Sequence, residues 1–286
     1  MAVRKGGAVN RWGRGGRIVV LAASWIALAI HGSAAEAGKT IHVRHHDLHG
    51  DWDDLLRRHV RGDRIDYDGF QRDGSQLRRY LDSLRDLGLP SQEDEIALWI
   101  NAYNAATIDL IVRERLARGG RLRSIKDIPS AWSRPRWRIA GAERSLDEIE
   151  HEILRGRFRE PRIHFALVCA SRSCPALRPS AYRGAFLDAQ LDSAARAFVR
   201  DPSRNRFDPA DGSIRISKIF EWYAKDFVGL ARDETLERMY GRERGAMVAY
   251  AARYLDGPTA ARLRSSKVRV TFSPYDWSLN SAGNAE

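Results

Sequence analysis

The chain has 286 residues, 43% hydrophobic and 30% charged, with ten prolines and two cysteines. These totals exclude collagen, low-complexity disorder and miniature disulfide scaffolds, and the length allows one large or two small domains around a continuous core. A formal net charge of +11 points to nucleic acid or an anionic membrane only if the charge is clustered.

Residues 1–17 carry five positive charges and no acid. The thirteen-residue apolar run Ile18 to Ile30 follows, then small residues ending in Ala35-Glu36-Ala37. This is the pattern of a secretory signal peptide (1–37) cleaved after Ala37. Thirteen apolar residues make a helix of about 20 Å, too short for a bilayer crossing, so no stable membrane span is expected after cleavage. The expected location is the periplasm or outside the cell, with retention by an uncleaved N-terminal anchor as the alternative. Cleavage removes five of the 48 basic residues and one of the 37 acids, leaving 43 and 36, a net of +7. What remains is sign-mixed, as in DDLLRRHVRGDR (53–64), so nucleic acid is not an expected partner.

His42, His45, His46 and His49 hold half of the eight histidines. With no second ligand group at a fixed spacing, residues 38–50 read as a flexible polar arm, with no metal and no cofactor expected. Trp52, Leu55, Leu56 and Val60 have helical spacing up to Gly62, and Ile65 to Tyr67 reads as extended. Leu77, Tyr80, Leu81 and Leu84 form a second amphipathic helix that stops at Gly88-Leu89-Pro90. Residues 91–120 are the clearest element: Ser91 caps, acids fill the first turn, arginines the last, and Gly119-Gly120 close it. Being apolar nearly all round, this helix is expected to be central and buried.

Residues 121–147 read as irregular around a short strand at 137–139, with a helix from Ser145 to about Gly156. Arg162 to Ala170 (RIHFALVCA) reads as a strand buried on both faces. A helix over 179–200, a strand over 213–219, helices to Leu255 and a strand over 268–272 complete the chain before SPYDWSLN (273–280). The expectation is one α+β domain over 51–280, mostly helical, with a small central sheet packed against the buried helix, and a tail at 281–286.

Several signatures are absent: G-x-S-x-G, H-E-x-x-H, G-x-G-x-x-G and C-x-x-C. Asn101 and Asn104 share one face of the buried helix, where an unpartnered amide costs about 1–3 kcal/mol. They either pin a neighbouring loop or form the polar floor of a pocket. Cys169 and Cys174 lie five residues apart, which in an oxidising compartment favours a disulfide. The rival reading is a thiol nucleophile at Cys174, with His164 as its base, because a strand would put His164 and Cys169 on opposite faces. In a third reading Ser171, Arg172, Ser173 and Arg178 form an anion site with the turn amides.

LWINAYNAATI (98–108), HFALVCASRSCPALRPSAY (164–182), ISKIFEWYAKDF (216–227) and PYDWSLN (274–280) resemble the ordered blocks of the family known as domain of unknown function 547. The resemblance implies an uncharacterised exported bacterial protein; plant relatives carry a leucine-zipper-like segment that has no counterpart here. It also implies a common site drawn from Asn101, Asn104, His164, Cys169, Ser171, Cys174 and Arg178. The order of central helix, then histidine, also resembles papain- and transglutaminase-like folds, with asparagine where their cysteine stands. The leading expectation is a non-catalytic pocket for a small molecule, peptide or protein between the Asn101/Asn104 helix and the Cys169–Cys174 loop, with Arg172 and Arg178 contributing. The alternative is a hydrolase or acyl transferase using Cys174 or Ser171 with His164.

Overall fold

A computed structural model describes residues 47–88, 91–208, 212–230 and 233–283. The expected signal segment, with its cleavage site, and His42, His45 and His46 lie outside these residues. His49 lies inside them and is packed rather than loose: it is 7% exposed, its Nδ1 is 2.9 Å from the Tyr80 hydroxyl, and burial lowers its pKa to about 4.

Helix α1 (Gly50–His59) runs into a short antiparallel hairpin, β1 (Val60–Arg61) and β2 (Arg64–Ile65). Where an extended stretch was expected to continue, Asp66 accepts from the Gly69 amide and starts α2 (Tyr67–Arg72), followed by α3 (Gly74–Ser83). These helices pack on α4 (Gln92–Ala117), whose residues from Ile96 to Val112 are all buried. The expected caps of α4 are present. Ser91 Oγ accepts from the Asp94 amide at 3.1 Å, Glu93, Asp94 and Glu95 fill the first turn, and Gly119 and Gly120 take positive φ beyond the last.

After α4 the chain forms the hairpin β3 (Trp137–Ile139) and β4 (Ala142–Arg144), then a π-helical segment, Glu148–Phe158. The expected strand over 162–170 is absent. Pro161–Phe165 is a 3-10 helix, and the apolar stretch after it is irregular. Its backbone is satisfied without a ladder, since the amides of Ala166 and Leu167 donate to the Ile163 carbonyl and Asn104 serves Ala166 and Val168. A short apolar run buried on all sides carries no periodicity to tell a strand from such a segment.

Helix α5 (Leu187–Arg200) leads to a three-stranded sheet, β5 (Arg206–Asp208), β6 (Ser213–Ile216) and β7 (Arg269–Phe272), antiparallel between β5 and β6 and parallel between β6 and β7. Between β6 and β7 lie α6 (Lys218–Trp222), a 3-10 turn at Ala224–Phe227, α7 (Glu234–Tyr240), α8 (Arg242–Ala252) and α9 (Gly257–Ser265). The fold is α+β and mostly helical. One apolar cluster surrounds α4; a second joins α5, α6, α8 and the three-stranded sheet. The sheet thus packs in the second cluster rather than against α4. Phe165 belongs to that second cluster while its neighbours Ile163 and Ala166 belong to the first, so the 3-10 turn before the cysteines joins both. No helix among the described residues is long and apolar enough to cross a membrane.

Candidate functional site

Two asparagines of α4 set the position of the cysteine loop. Asn104 Nδ2 donates to the Ala166 carbonyl at 3.0 Å and its Oδ1 accepts from the Val168 amide at 2.9 Å. Asn101 makes the same two-way clamp on Tyr182, at 2.8 and 2.9 Å. Both side chains are buried and their bonds go to backbone, so they pin the two ends of the segment that carries Cys169 and Cys174. The open choice between loop pin and pocket floor falls to the pin, because a second strand does not supply those backbone partners.

Residues 88–199 match the family described as protein of unknown function, DUF547. The DUF547 segment contains α4, both asparagine clamps, His164 and both cysteines. No curated protein and no solved structure matches the chain.

Within the loop, Ala170 adopts a left-handed φ of 63°, a conformation that costs a non-glycine residue about 1–3 kcal/mol. It turns the chain between the two cysteines. The C-terminal stretch lies antiparallel to this loop: Asn280 donates to the Ala170 carbonyl, Arg172 to that of Ser278, and Asp276 to Ser173 Oγ. Arg204, 8% exposed and paired with Asp201, donates to the carbonyls of Cys174 (2.8 Å) and Arg172 (3.3 Å).

The expected disulfide is not formed. Both cysteines are free thiols with their sulfurs 2.7 Å apart, well beyond the roughly 2.05 Å of a covalent bond. Around them, Ser171 Oγ donates to the Tyr275 hydroxyl at 2.9 Å, that hydroxyl is 3.3 Å from Cys174 Sγ, and the Cys169 amide donates to the same sulfur at 3.1 Å. Burial alone raises the Cys174 pKa, but its hydrogen-bond contacts with the side chains of Cys169, Ser171 and Tyr275 and with the Ser171 backbone outweigh it and lower the value to about 6. Its bond to Cys174 and its own burial push Cys169 well up. The two shifts run in opposite directions, so a single charge shared by the pair is favoured on Cys174 over Cys169.

Cys169 and Cys174 line a cavity of about 270 Å³ together with His164, Glu150, Asp147 and an aromatic wall. His164 is 3% exposed and stacks on Tyr223 with ring centroids 3.8 Å apart. Its Nε2 is 2.7 Å from Asp226 Oδ2, while Arg155 binds both oxygens of Asp226 at 2.7 and 3.0 Å. Burial lowers the His164 pKa against the pull of Asp226; burial of Asp226 is outweighed by its bonds to His164 and Arg155, which hold its carboxyl well below the usual range. An ionised carboxylate can only accept, so Nε2 carries the ring proton and Nδ1 has a lone pair. Nδ1 is buried without a partner, and no hydrogen bond joins it to Cys174 or Ser171.

The other residues singled out from the sequence lie elsewhere. Arg178 does not line this cavity; its Nη2 donates to Ser180 Oγ at 3.3 Å and its guanidinium sits 5.6 Å from the Tyr182 ring centre. Arg172 is exposed and also outside the lining. The helix contributes Tyr103 to the cavity in place of the asparagines. Sequence reasoning missed Glu150, Tyr223, Asp226 and Tyr275 as site residues, although the last three stand inside family-like blocks. Their signal was a polar group embedded in an aromatic block (EWYAKDF, PYDW), which is where a hydroxyl or carboxylate is placed beside an apolar wall. Among the described residues no group of histidine, cysteine, aspartate and glutamate has the geometry to hold a metal ion.

Proposed function

We propose that the chain is a thiol-dependent hydrolase or acyl transferase with Cys174 as nucleophile. The observation that carries this reading is the Cys174 sulfur, which accepts from the Cys169 amide and lies 2.7–3.3 Å from Cys169 Sγ, Ser171 Oγ and the Tyr275 hydroxyl, in the wall of a cavity that His164 also lines. It weighs against a purely passive pocket, because a buried charged sulfur with no permanent counter-ion is costly unless it is used. Cys174 Sγ attacks a carbonyl carbon, the bond to the leaving group breaks, and the leaving group departs with a proton from solvent. Water then loses a proton to His164 Nδ1 as its oxygen attacks the thioester, the thiolate is released, and the imidazole returns its proton to solvent. Asp226 keeps the proton on Nε2 so that Nδ1 is the basic atom. Ser171 serves as a donor to Tyr275 and, in this reading, is not the nucleophile.

An activated ester such as p-nitrophenyl acetate tests the reading. Intact-mass analysis of the quenched reaction is expected to find one acetyl group on Cys174, absent in Cys174→Ser and present in Ser171→Ala. A folded native protein that never carries the adduct overturns it. The reading also keeps residues 1–37 as an export signal, so that the site works outside the cytoplasm; N-terminal sequencing of the purified native protein is expected to start at Gly38, and a retained Met1 speaks against export with cleavage.

A further inference from the structure

The cavity that holds Cys174 has an unusual charge balance for this chain. Among the described residues no lysine or arginine lines it, whereas Asp147 and Glu150 both do. Elsewhere the acids are mostly paired with arginine. Among the described residues the Glu150 side chain, 8% exposed, accepts from the Tyr223 hydroxyl alone, at 2.5 Å, and the Asp147 carboxylate meets the His151 ring alone, at 3.8 Å. Burial raises the Asp147 pKa, as expected of a carboxylate short of a counter-charge. The nearby guanidinium of Arg155 is matched by both oxygens of Asp226, and His151 accepts a hydrogen bond from Arg155 through Nδ1.

The rest of the wall is aromatic. Trp222, Tyr275 and Trp277 meet pairwise with ring centroids 4.5–5.8 Å apart, and Trp132 adjoins Trp277 at 6.0 Å. Trp222, which meets Tyr275 and Trp277, is 45% exposed, one of the few large apolar side chains among the described residues left open to solvent. Two rings of the lining already hold a cation, since Lys126 Nζ sits 5.1 Å from the Trp277 ring centre and the Arg155 guanidinium 4.9 Å from that of Tyr223. Aromatic faces beside unpaired carboxylates bind ammonium groups through the ring quadrupole and the carboxylate charge together. Nδ1 of His164, buried and without a partner, adds an acceptor for an N–H.

We propose that the cavity recognises an ammonium group on its substrate, held by Glu150 and Asp147 against the aromatic wall of Trp222, Tyr275 and Trp277. The inference rests on the thiol-site reading for its chemistry and adds the substrate class: an amine-bearing acyl compound, or a primary amine that takes the acyl group from Cys174. In transfer to an amine, the bound ammonium first gives one proton to solvent; the neutral nitrogen then forms the N–C bond as the S–C bond of the thioester breaks, His164 Nδ1 takes the second proton lost by nitrogen and later returns it to solvent, and the sulfur leaves as the thiolate.

Binding is measured in Cys174→Ser protein, so that it is scored apart from turnover. The probes are 1,5-diaminopentane, N-acetyl-lysine amide, pentan-1-ol and pentanoate, read by tryptophan fluorescence and by thermal shift. Both amines are expected to quench fluorescence and raise Tm, the alcohol and the acid to do neither, and the response to weaken with salt. A stronger response to the diamine points to a free amine, and a stronger response to the capped lysine points to a protein side chain. Glu150→Gln is expected to weaken amine binding about tenfold or more, and Asp147→Asn, at a half-buried position that tolerates exchange, to weaken it severalfold. Equal responses to pentan-1-ol and diaminopentane, or amine affinities unchanged in both variants, overturn the proposal. The acetyl adduct on Cys174 is scored independently in native protein, so failure of the amine inference leaves the thiol reading standing, whereas failure of the thiol reading leaves ammonium binding testable but removes the acyl transfer.

Discussion

His164 and Asp226 are 62 residues apart in the chain and 2.7 Å apart in space, joined through Nε2 and Oδ2. The carboxylate fixes the tautomer of the ring and is itself held by Arg155. Asp226→Asn keeps the shape and removes the charge. It is expected to reduce the rate of acetyl release from Cys174 about a hundredfold or more, with adduct formation reduced much less. Equal losses in both steps contradict the assignment of His164 as base for deacylation.

The same pair predicts the acid limb of stability. The folded pKa of Asp226 lies below its unfolded value, so its contribution is present above about pH 3.9 and is lost as pH falls through the folded value. His164 is also lowered by burial, so the unfolded chain takes up its proton first and stability declines as pH falls from about 6.5. Urea midpoints measured between pH 8 and 3 are expected to fall in two stages. In Asp226→Asn the lower stage shrinks; an unaltered lower stage assigns it to other carboxylates.

Reactivity of Cys174 is the most direct readout of the site. Alkylation by iodoacetamide is expected to titrate with a midpoint of about 6, against about 8.5 for an ordinary cysteine. A thiol titration of unfolded protein counts two thiols. Tyr275→Phe removes one donor to the thiolate and is expected to raise the midpoint by about one to two units, since a bond to a charged group contributes about 1.5–3 kcal/mol. A native midpoint near 8.5 removes the stabilised thiolate from the account.

Asn104→Leu takes both partners from the Ala166 carbonyl and the Val168 amide inside the core. Leaving buried groups unsatisfied at about 1–3 kcal/mol each predicts a loss of about 2–5 kcal/mol, read by chemical denaturation. A variant of native stability that fails only in ligand binding returns Asn104 to the pocket.

Gly245 offers a test of packing away from the site. In a helix, alanine is favoured over glycine by about 1 kcal/mol. Here an added Cβ would stand 2.7 Å from the Glu237 Cα and 2.8 Å from the Leu236 carbonyl carbon, both backbone atoms of α7. Gly245→Ala is therefore expected to lower stability by about 1–3 kcal/mol, since backbone cannot rotate aside. A raised Tm shows that α7 gives way.

Local chemistry made α4 legible, because Ser91, the acids behind it and Gly119-Gly120 act within a few residues of the helix they bound. The same locality failed for 162–170, whose backbone partners come from Asn104, about sixty positions earlier. The cysteines drew attention by their spacing, but spacing cannot report that a hydroxyl a hundred residues on competes for the same sulfur. His164 was found, and its partner Asp226 was not, for the same reason. The cavity aromatics carry no such mark, since burial on one side of a tryptophan leaves none on its neighbours in sequence.

The strand-like pairing of residues 276–280 with the cysteine loop has a consequence for timing. Tyr275 and Trp277 belong to the last dozen residues and lie beyond the DUF547 segment, yet one holds the thiolate and both wall the cavity. During synthesis α4, its asparagine clamps and both cysteines leave the ribosome long before these residues do. Until residues 275–280 emerge, Cys174 lacks its phenolic donor. A chain cut short after Pro274 would thus carry the whole DUF547 segment while Cys174 lacked the Tyr275 hydroxyl and the cavity lacked two of its aromatic rings.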